Sequence, residues 1–351
     1  LLAYCLPIAC LNPGGILTMH KVALAGCGRI SKNHIESLLK LREEGIAEIV
    51  SCCDVIPERA QEATEKIGNG CKAYTDFSQM LKEADADLVT LCTPSGLHPY
   101  QSIEAAEAGK NILSEKPQGC CLEACDKAIE AAEKAGVKYM VVKQNRFNPS
   151  IQLLRKAFEK GRFGKVYMIL ANVLWTRPQD YYDMAKWRGT YELDGGCLSN
   201  QASHYVDLVQ WFGGDFTDVS AQHSTQKIKM EAEDTISVAI KFATGAIGSI
   251  NATVLTYPKN LEGSLTILGE KGTVRVGGFA LNKIEHWEFA DEDPMDEEAR
   301  RADTAPPSVY GFGHLPYYRH AFNVLDGKTQ PMCTGREARK TVEIIMKAYG
   351  K

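Results

Sequence analysis

The first 145 residues alternate between short apolar strands and helical segments, and this alternation is the feature that most restricts the fold. Predicted strands lie at 22–25, 47–53, 88–92, 111–114 and 138–142. Helical patterns, such as those at 57–67 and 122–135, lie between them. A helix between successive strands lets those strands run parallel. The pattern therefore predicts α/β architecture, with a doubly wound parallel sheet in this half.

After residue 145 the pattern changes to strands with few helices between them. The predicted strands are 166–175, 236–242, 246–254, 264–268, 272–276 and 284–289. Strands without crossover helices imply an antiparallel sheet, one face of which must be covered by helices or by another subunit. Two helices are predicted at 150–160 and 335–349, and the acidic segment 291–301 is interpreted as a loop or an exposed helix.

Two domains follow from this change of pattern. Residues 19–145 are predicted to form a domain with the doubly wound parallel sheet. Residues 146–351 are predicted to form an α+β domain with a mostly antiparallel open-faced sheet.

Residues 1–18 form an apolar stretch interrupted by prolines and glycines. It lacks the basic start of a secretion signal and is too short to span a membrane. A disordered extension, a degenerate signal and residues upstream of a natural start at Met19 are the alternatives. The last is favoured, because a strand pattern begins directly after Met19.

Charge and cysteine content exclude several functions. The 351 residues include 40 Lys plus Arg and 44 Asp plus Glu, so a net charge of −4 gives no support for binding nucleic acid or anionic membrane. The 12 cysteines are scattered without a C-x-x-C motif, which indicates reduced thiols and a cytoplasmic location. His204 and Asp207 lack a convincingly spaced third ligand, so no metal is predicted.

A dinucleotide turn is predicted where the first strand meets the first helix. The motif is Gly26-x-Gly28-x-x-Ser31, with Arg29 and Ile30 inside it. Gly26 permits a tight turn, Gly28 lets the backbone approach a pyrophosphate, and Ser31 is small enough for helix packing. The alternative is a plain glycine turn without a ligand.

Asp54 ends the second strand, where a carboxylate can accept hydrogen bonds from both ribose hydroxyls. A 2′-phosphate would face its negative charge. Val55 and Ile56 supply no arginine to compensate, and Arg59 lies a turn further on. The sequence therefore predicts NAD rather than NADP, although Asp54 could also be only a helix cap.

Further motifs place the chain in a known family. Glu115-Lys116-Pro117 follows the fourth strand, and Thr93-Pro94 follows the third. Gly195-Gly196 and His204 come later, in the segment DGGCLSNQASHYVDL. From Met19 onward this arrangement resembles the Gfo/Idh/MocA family of NAD(P)-dependent oxidoreductases.

The resemblance implies that residues 19–145 form an NAD-binding Rossmann domain and that residues 146–351 form an open-faced domain for substrate binding and oligomerisation. The active site is implied to lie in the cleft between them. It implies that Lys116 and His204 are catalytic, with either one acting as the general base. The implied cofactor is NAD. The residues predicted to bind it are Gly26, Gly28, Arg29, Ile30, Asp54, Thr93, Pro94, Glu115 and Lys116.

One position departs from the commonest family pattern. Many members carry an aspartate four residues before the histidine, whereas this chain has Asn200. An amide can orient an imidazole but cannot stabilise its cation by charge. With the segments around Arg177, Lys186 and Tyr317, the motif resembles a branch of bacterial UDP-N-acetylglucosaminuronate 3-dehydrogenases of polysaccharide biosynthesis.

That branch implies oxidation of the C3 hydroxyl of a UDP-N-acetyl-hexosaminuronate by NAD. It also implies cofactor recycling by 2-oxoglutarate and a homotetramer or homodimer. Such a substrate carries about three negative charges, and cations are needed to hold them. Arginines in aromatic-rich segments are the candidates: Arg146, Arg177, Arg188 and Arg319.

The predicted substrate-binding residues are Lys116, Arg177, Tyr181, Arg188, Asn200 and His204. Two alternatives remain. One is an inositol or free-sugar dehydrogenase of the same family, which would not need a nucleotide site. The other is a non-catalytic regulator that binds a dinucleotide.

Overall fold

The first half of the chain forms a six-stranded parallel sheet. The computed structural model describes residues 19–278, 280–302 and 313–351. The strands are β1 (His20–Ala25), β2 (Ala47–Cys53), β3 (Lys72–Tyr74), β4 (Leu88–Leu91), β5 (Asn111–Ser114) and β6 (Tyr139–Val141). Their order is β3-β2-β1-β4-β5-β6. The order reverses direction at β1, and the carboxyl ends of β1 and β4 therefore flank the crevice in which such sheets bind ligands.

Helices cover both faces of this sheet. They are α1 (Ser31–Glu43), α2 (Pro57–Ile67), α3 (Phe77–Glu83), α4 (His98–Glu107) and α5 (Leu122–Ala135). In α1, residues Ile35, Leu38 and Leu41 recur at helical spacing and are buried in the core. The sequence pattern did not predict β3 as a strand, because only Tyr74 of its three residues is buried.

The second half forms a seven-stranded sheet. Its strands are β7 (Val166–Leu174), β8 (Phe216–Ser224), β9 (Thr235–Phe242), β10 (Ile247–Thr253), β11 (Glu262–Gly269), β12 (Gly272–Gly277) and β13 (Lys283–Phe289). Their order is β13-β12-β11-β7-β10-β9-β8. Neighbouring strands are antiparallel except β7 and β10, which run parallel. The predicted α/β fold class and the mostly antiparallel second sheet are thus confirmed.

One face of the second sheet is covered and the other is open. The remaining helices are α6 (Pro149–Glu159), α7 (Gln179–Asp183), α8 (Ser203–Gly213), α9 (Met295–Ala299), α10 (His314–Leu325) and α11 (Gly335–Ala348). In β9, Ile236, Val238 and Ile240 are buried beneath the helices, whereas Ser237 and Lys241 on the other face are exposed. Helix α8 packs against β7.

Helix α10 returns to the first half of the molecule. Its Tyr317, Tyr318 and Phe322 are buried in the same core cluster as Leu38 and Leu41 of α1. This helix lies far along the chain, within the segment predicted to form the second domain. The parallel sheet is therefore covered partly by residues that follow the second sheet.

The acidic segment 291–301 contains the short helix α9, and it is not merely solvated. Asp296 accepts a 2.6 Å hydrogen bond from Arg162 Nη1 and a 2.7 Å bond from Trp287 Nε1.

The predicted extension at 1–18 lies outside the described residues. Among the residues that the structure describes, no helix is both long enough and apolar enough to cross a membrane.

Candidate active site

A cavity of about 530 Å³ opens at the carboxyl ends of β1 and β4. Its walls include all nine residues predicted to bind the cofactor. The second half of the chain contributes Tyr181, Met184, Ala185, Trp187, Arg188 and Asn200. Of the predicted substrate residues, Lys116, Tyr181, Arg188 and Asn200 line the cavity, whereas Arg177 and His204 are not part of its wall.

The glycine loop has the geometry that a dinucleotide needs. Gly26 has φ +88°, and a Cβ there would lie 2.6 Å from the carbonyl carbon of Cys92, so only glycine fits. A Cβ on Gly28 would meet no atom within 4 Å. That open space faces the cavity, and α1 begins three residues later at Ser31. These residues fit a pyrophosphate held by backbone amides at a helix N-terminus.

Asp54 is fixed at the end of β2 by two backbone donors. Its Oδ2 accepts a 2.8 Å bond from Cys27 N, and its Oδ1 accepts a 2.9 Å bond from Ile56 N. The carboxylate lines the cavity, in reach of a ribose. Arg59, which the sequence placed a turn away, also lines this cavity.

Two histidines hold the carboxylate of Glu115. Its Oε1 lies 3.0 Å from His34 Nε2 and 3.5 Å from His314 Nε2, and its Oε2 accepts a 3.0 Å bond from Lys116 N. Burial raises the pKa of Glu115, but the contacts with His314 and His34 outweigh it and hold that pKa well below its usual range. The same three side chains are close enough to ligate a metal, although hydrogen bonding accounts for the arrangement.

Lys116 connects the two halves of the cavity. Its Nζ donates a 3.0 Å bond to the carbonyl oxygen of Asn200, just before α8. Burial lowers the pKa of the Lys116 ammonium, the Glu115 carboxylate opposes this shift, and Lys143 adds to it. The Lys116 ammonium, which loses its proton more easily than an ordinary lysine, therefore lies where the parallel sheet meets the second half of the chain.

His204 is buried beside Lys116, at the start of α8. Its Nε2 lies 2.8 Å from Nε2 of Gln144. Burial, together with the positive charges of Lys116 and Lys143, lowers the pKa of His204 well below its ordinary value of 6.5. The imidazole is therefore neutral near pH 7 and can accept a proton.

A buried ion cluster lies beneath His204. Arg146 donates bonds of 2.8 and 2.9 Å to the two carboxylate oxygens of Asp207, and Lys143 Nζ lies 3.3 Å from the same group. Burial raises the pKa of Asp207, but Arg146 and Lys143 outweigh it and lower that pKa to about 2. Asp207 is thus a hydrogen-bonding and ion-pair partner, and Arg146 neutralises it rather than lining the cavity.

A chain of hydrogen-bonded polar side chains includes three residues of the cavity wall, Tyr181, Arg188 and Asn200. Tyr181 Oη accepts bonds from Arg188 Nη1 at 2.6 Å and from Gln201 Nε2 at 3.1 Å. Gln201 also donates to Asn200 Oδ1 at 2.7 Å, and Asn200 Nδ2 donates to Asp194. A carboxylate, that of Asp194, therefore lies next to position 200, where many relatives carry an aspartate.

The other predicted cations have separate surroundings. Arg177 stacks over the rings of Trp175 and Tyr181, at 5.1 and 5.7 Å from their centres. Arg319 forms an exposed ion pair with Glu44, away from the cavity. Of the four arginines proposed as substrate ligands, the structure therefore brings only Arg188 into the wall.

His98, the first residue of α4, contacts backbone carbonyl groups. Its Nδ1 lies 2.8 Å from the carbonyl oxygen of Pro117, and its Nε2 lies 2.9 Å from that of Thr93. His98 therefore ties together the loops that follow β4 and β5, which carry predicted cofactor residues.

Four side chains at the site were not predicted from the sequence: Lys143, Gln144, Asp194 and His314. Lys143 and Gln144 directly follow β6, and the carboxyl end of a parallel strand is where ligand-binding side chains collect. That position could have identified them. His314 comes from α10, which no pattern predicted.

The family assignment rests on both halves of the chain. Residues 20–143 match the oxidoreductase family with an NAD-binding Rossmann fold, and residues 151–275 match the GFO/IDH/MocA C-terminal domain. The chain belongs to the Gfo/Idh/MocA family of oxidoreductases. The predicted family, enzyme class and NAD cofactor are thereby confirmed.

Two solved structures are particularly similar to this chain. One is the WlbA dehydrogenase of Bordetella pertussis in complex with NADH and UDP-GlcNAcA, with 48% identity, a TM-score of 0.91 and 95% coverage of each chain. The other is the WlbA dehydrogenase of Chromobacterium violaceum with the same two ligands, with 46% identity and a TM-score of 0.90. It covers 97% of this chain and 95% of that one.

A more distant relative has a different substrate in its name. Levoglucosan dehydrogenase of Pseudarthrobacter phenanthrenivorans is 27% identical over 284 residues, which is 74% of this chain and 72% of that protein.

Proposed function

We propose that this chain is an NAD-dependent dehydrogenase that oxidises the C3 hydroxyl of UDP-N-acetylglucosaminuronate (UDP-GlcNAcA) to a ketone. The observation that carries this proposal is the 48% identity, over 95% of both chains, to a dehydrogenase bound to NADH and UDP-GlcNAcA. The relatives named for levoglucosan and myo-inositol are only 27% and 28% identical over shorter stretches. The higher identity over a larger share of the chain favours UDP-GlcNAcA as the substrate.

The cofactor side would hold NAD through backbone and one carboxylate. Gly28 and the first turn of α1 would face the pyrophosphate, and Asp54 would accept hydrogen bonds from the adenosine ribose. Bound NAD supplies the acceptor for the hydride. Asp54 would also repel a 2′-phosphate, which supports the preference for NAD.

Lys116 and His204 would carry the proton chemistry. The Lys116 ammonium lies in the cavity wall, where it would hold the hydroxyl oxygen and stabilise its developing negative charge. His204 is buried next to it and is neutral, which makes it the final acceptor of the hydroxyl proton. The C–H electron pair leaves as hydride while the C=O bond forms.

Arg188 is the cation best placed for a negatively charged substrate. It lines the cavity, and its bond to Tyr181 Oη fixes the guanidinium against an aromatic ring 4.3 Å from its carbon. A fixed guanidinium suits a phosphate or a carboxylate because it can donate two parallel bonds. Asn200 and Tyr181 would add neutral donors and acceptors for sugar hydroxyls.

Assembly and location are also part of the proposal. The open face of the second sheet carries half-buried apolar side chains next to one another, including Met168, Leu170 and Leu268. This face supports a homodimer or homotetramer. All ten described cysteines are free, which supports a reducing, cytoplasmic compartment.

The test is a panel of substrates with NAD, followed by absorbance of the reduced nicotinamide. UDP-GlcNAcA is expected to be oxidised, whereas UDP-GlcNAc, myo-inositol and levoglucosan are expected to react far more slowly. A parallel series with 2-oxoglutarate tests cofactor recycling. His204→Asn is the matched inactive control. Oxidation of myo-inositol in preference to UDP-GlcNAcA would contradict the proposed substrate.

A further inference from the structure

The imidazole of His204 has one defined partner. Gln144 follows β6, is 1% exposed, and places its amide nitrogen 2.8 Å from His204 Nε2. Two buried atoms of the same pair have no hydrogen-bond partner among the described residues: Gln144 Oε1 and His204 Nδ1. The ring is thus fixed at Nε2, and its other nitrogen is unpaired.

The oxygen and the NH₂ group of the Gln144 side-chain amide are similar in size. Either of them can therefore lie 2.8 Å from Nε2 of His204. If the NH₂ group of Gln144 donates to Nε2, the proton of a neutral His204 must be on Nδ1. The only lone pair of the ring, on Nε2, is then engaged by the amide and is not free to take the substrate proton. If the carbonyl oxygen accepts from Nε2–H, Nδ1 keeps its lone pair.

We propose that Gln144 is a positioning residue, whose carbonyl oxygen accepts from Nε2–H of His204 and thereby makes Nδ1 the atom that takes the substrate proton. This inference rests on the proposed function, in which His204 is the proton acceptor. When His204 is protonated, the Nε2–H bond to Gln144 remains and the new proton is on Nδ1. For this Nε2–H tautomer, and for the protonated ring, the opposite amide orientation would bring the NH₂ group against an N–H.

The choice of an amide matters because of the surrounding charges. Lys116 and Lys143 disfavour the cation of His204, and Glu115 and Asp207 favour it. Burial adds to the effect of the lysines, and the pKa of His204 is lowered. An amide orients the ring without adding a negative charge, so it leaves the imidazole neutral before the reaction.

The kinetic test compares two substitutions of Gln144. In Gln144→Glu the carboxylate can only accept a hydrogen bond from Nε2–H of His204, so activity is expected to persist. Its negative charge favours the histidine cation, so the acid limb of kcat/KM should move up by about 1 to 3 pH units. In Gln144→Met no acceptor remains, so kcat falls about 100-fold with little change in the KM of UDP-GlcNAcA. Gln210→Met, a buried glutamine outside the cavity, is the control for packing and is expected to be active.

An equal loss in both Gln144 variants, without a pH shift in Gln144→Glu, would overturn the inference. So would an unchanged kcat in Gln144→Met.

A second measurement needs no substrate. Nitrogen-15 NMR of histidine-labelled protein, with the His204 signals identified by their loss in His204→Asn, reports which ring nitrogen carries the proton. We expect a protonated Nε2 and a bare Nδ1. A protonated Nδ1 refutes the inference even if UDP-GlcNAcA is oxidised. Failure to oxidise UDP-GlcNAcA refutes the proposed substrate, while the spectrum still decides the role of Gln144.

Discussion

The proposed cofactor side and the proposed substrate side of the cavity are built from different kinds of chemical group. On the cofactor side, a loop with Gly26 and Gly28 exposes backbone amides, and one carboxylate, Asp54, lies at the end of the next strand. On the substrate side, side chains from separate segments are joined by hydrogen bonds. They are Arg188, Tyr181, Gln201, Asn200 and Asp194.

This difference determines how each side responds to substitution. A backbone site depends on the absence of side-chain atoms at a few positions, so adding a methyl group disrupts it. A side-chain network depends on each of its members, so substituting one side chain weakens substrate binding and leaves the fold intact. The four predictions below test this contrast, from the largest expected effect to the smallest.

Lys116 joins the two sides, and its loss is expected to have the largest effect. Lys116→Met removes the cation proposed to stabilise the alkoxide, so kcat/KM for UDP-GlcNAcA should fall about 10³-fold. NADH binding, measured by quenching of protein fluorescence, should change far less than kcat/KM because the loop and Asp54 are untouched. Lys138→Met, at an exposed lysine, is the control and should be fully active.

The two glycines of the loop should separate folding from binding. Gly26→Ala places a Cβ 2.6 Å from the Cys92 carbonyl carbon at a positive φ, and should lower the free energy of unfolding by about 1–3 kcal/mol. Gly28→Ala has room for its methyl group in the protein, so its melting temperature should match wild type. Its Kd for NADH should rise about tenfold, since a steric cost near 1.4 kcal/mol has that effect.

Thermal melts without cofactor and NADH titrations measure both quantities. Equal destabilisation by the two alanines would show that Gly28 is needed for folding rather than for the pyrophosphate.

Arg188 tests the substrate side alone. Arg188→Leu removes a charged donor to the substrate, so the KM of UDP-GlcNAcA should rise about tenfold or more, since such bonds contribute about 1.5–3 kcal/mol. The Kd for NADH and the melting temperature should stay close to wild type. Arg319→Leu, at the surface ion pair with Glu44, is the matched control and should leave the KM unchanged.

The smallest effect concerns pH. Because burial and the neighbouring lysines lower the pKa of His204, its neutral form persists at pH values where an ordinary histidine is half protonated. Between pH 7.5 and pH 6.5, kcat/KM should therefore fall by clearly less than the roughly 1.8-fold that a pKa of 6.5 would give. An acid limb centred at or above pH 6.5 would contradict this.

The same contrast explains what could be predicted from the sequence. Gly26, Gly28 and Asp54 lie in one local pattern, because a strand, a glycine turn and a helix come in order along the chain. The Glu115-Lys116 motif likewise follows a recognisable strand. For this reason nine cofactor-binding residues could be proposed from the sequence, and all nine line one cavity.

The rest depends on tertiary packing. Proximity to aromatic residues suggested Arg146 and Arg319 as substrate ligands, yet one is buried against Asp207 and the other lies on the surface. Helix α8 is buried on all sides, so it shows no amphipathic period. Strand β8 is mostly exposed and lacks a clear alternation of apolar residues.

Helix α10 has a consequence for how the parts of this chain can be exchanged. Tyr317, Tyr318 and Phe322 complete the core beside α1, and Tyr318 Oη contacts His34 at 2.8 Å. A fragment that ends at residue 145 would leave that apolar surface bare and would aggregate. A graft that changes substrate choice must therefore be an insertion between about 146 and 302, with the returning helix kept from the recipient. In engineering terms, the substrate-binding part is a cassette with two junctions rather than a tail with one.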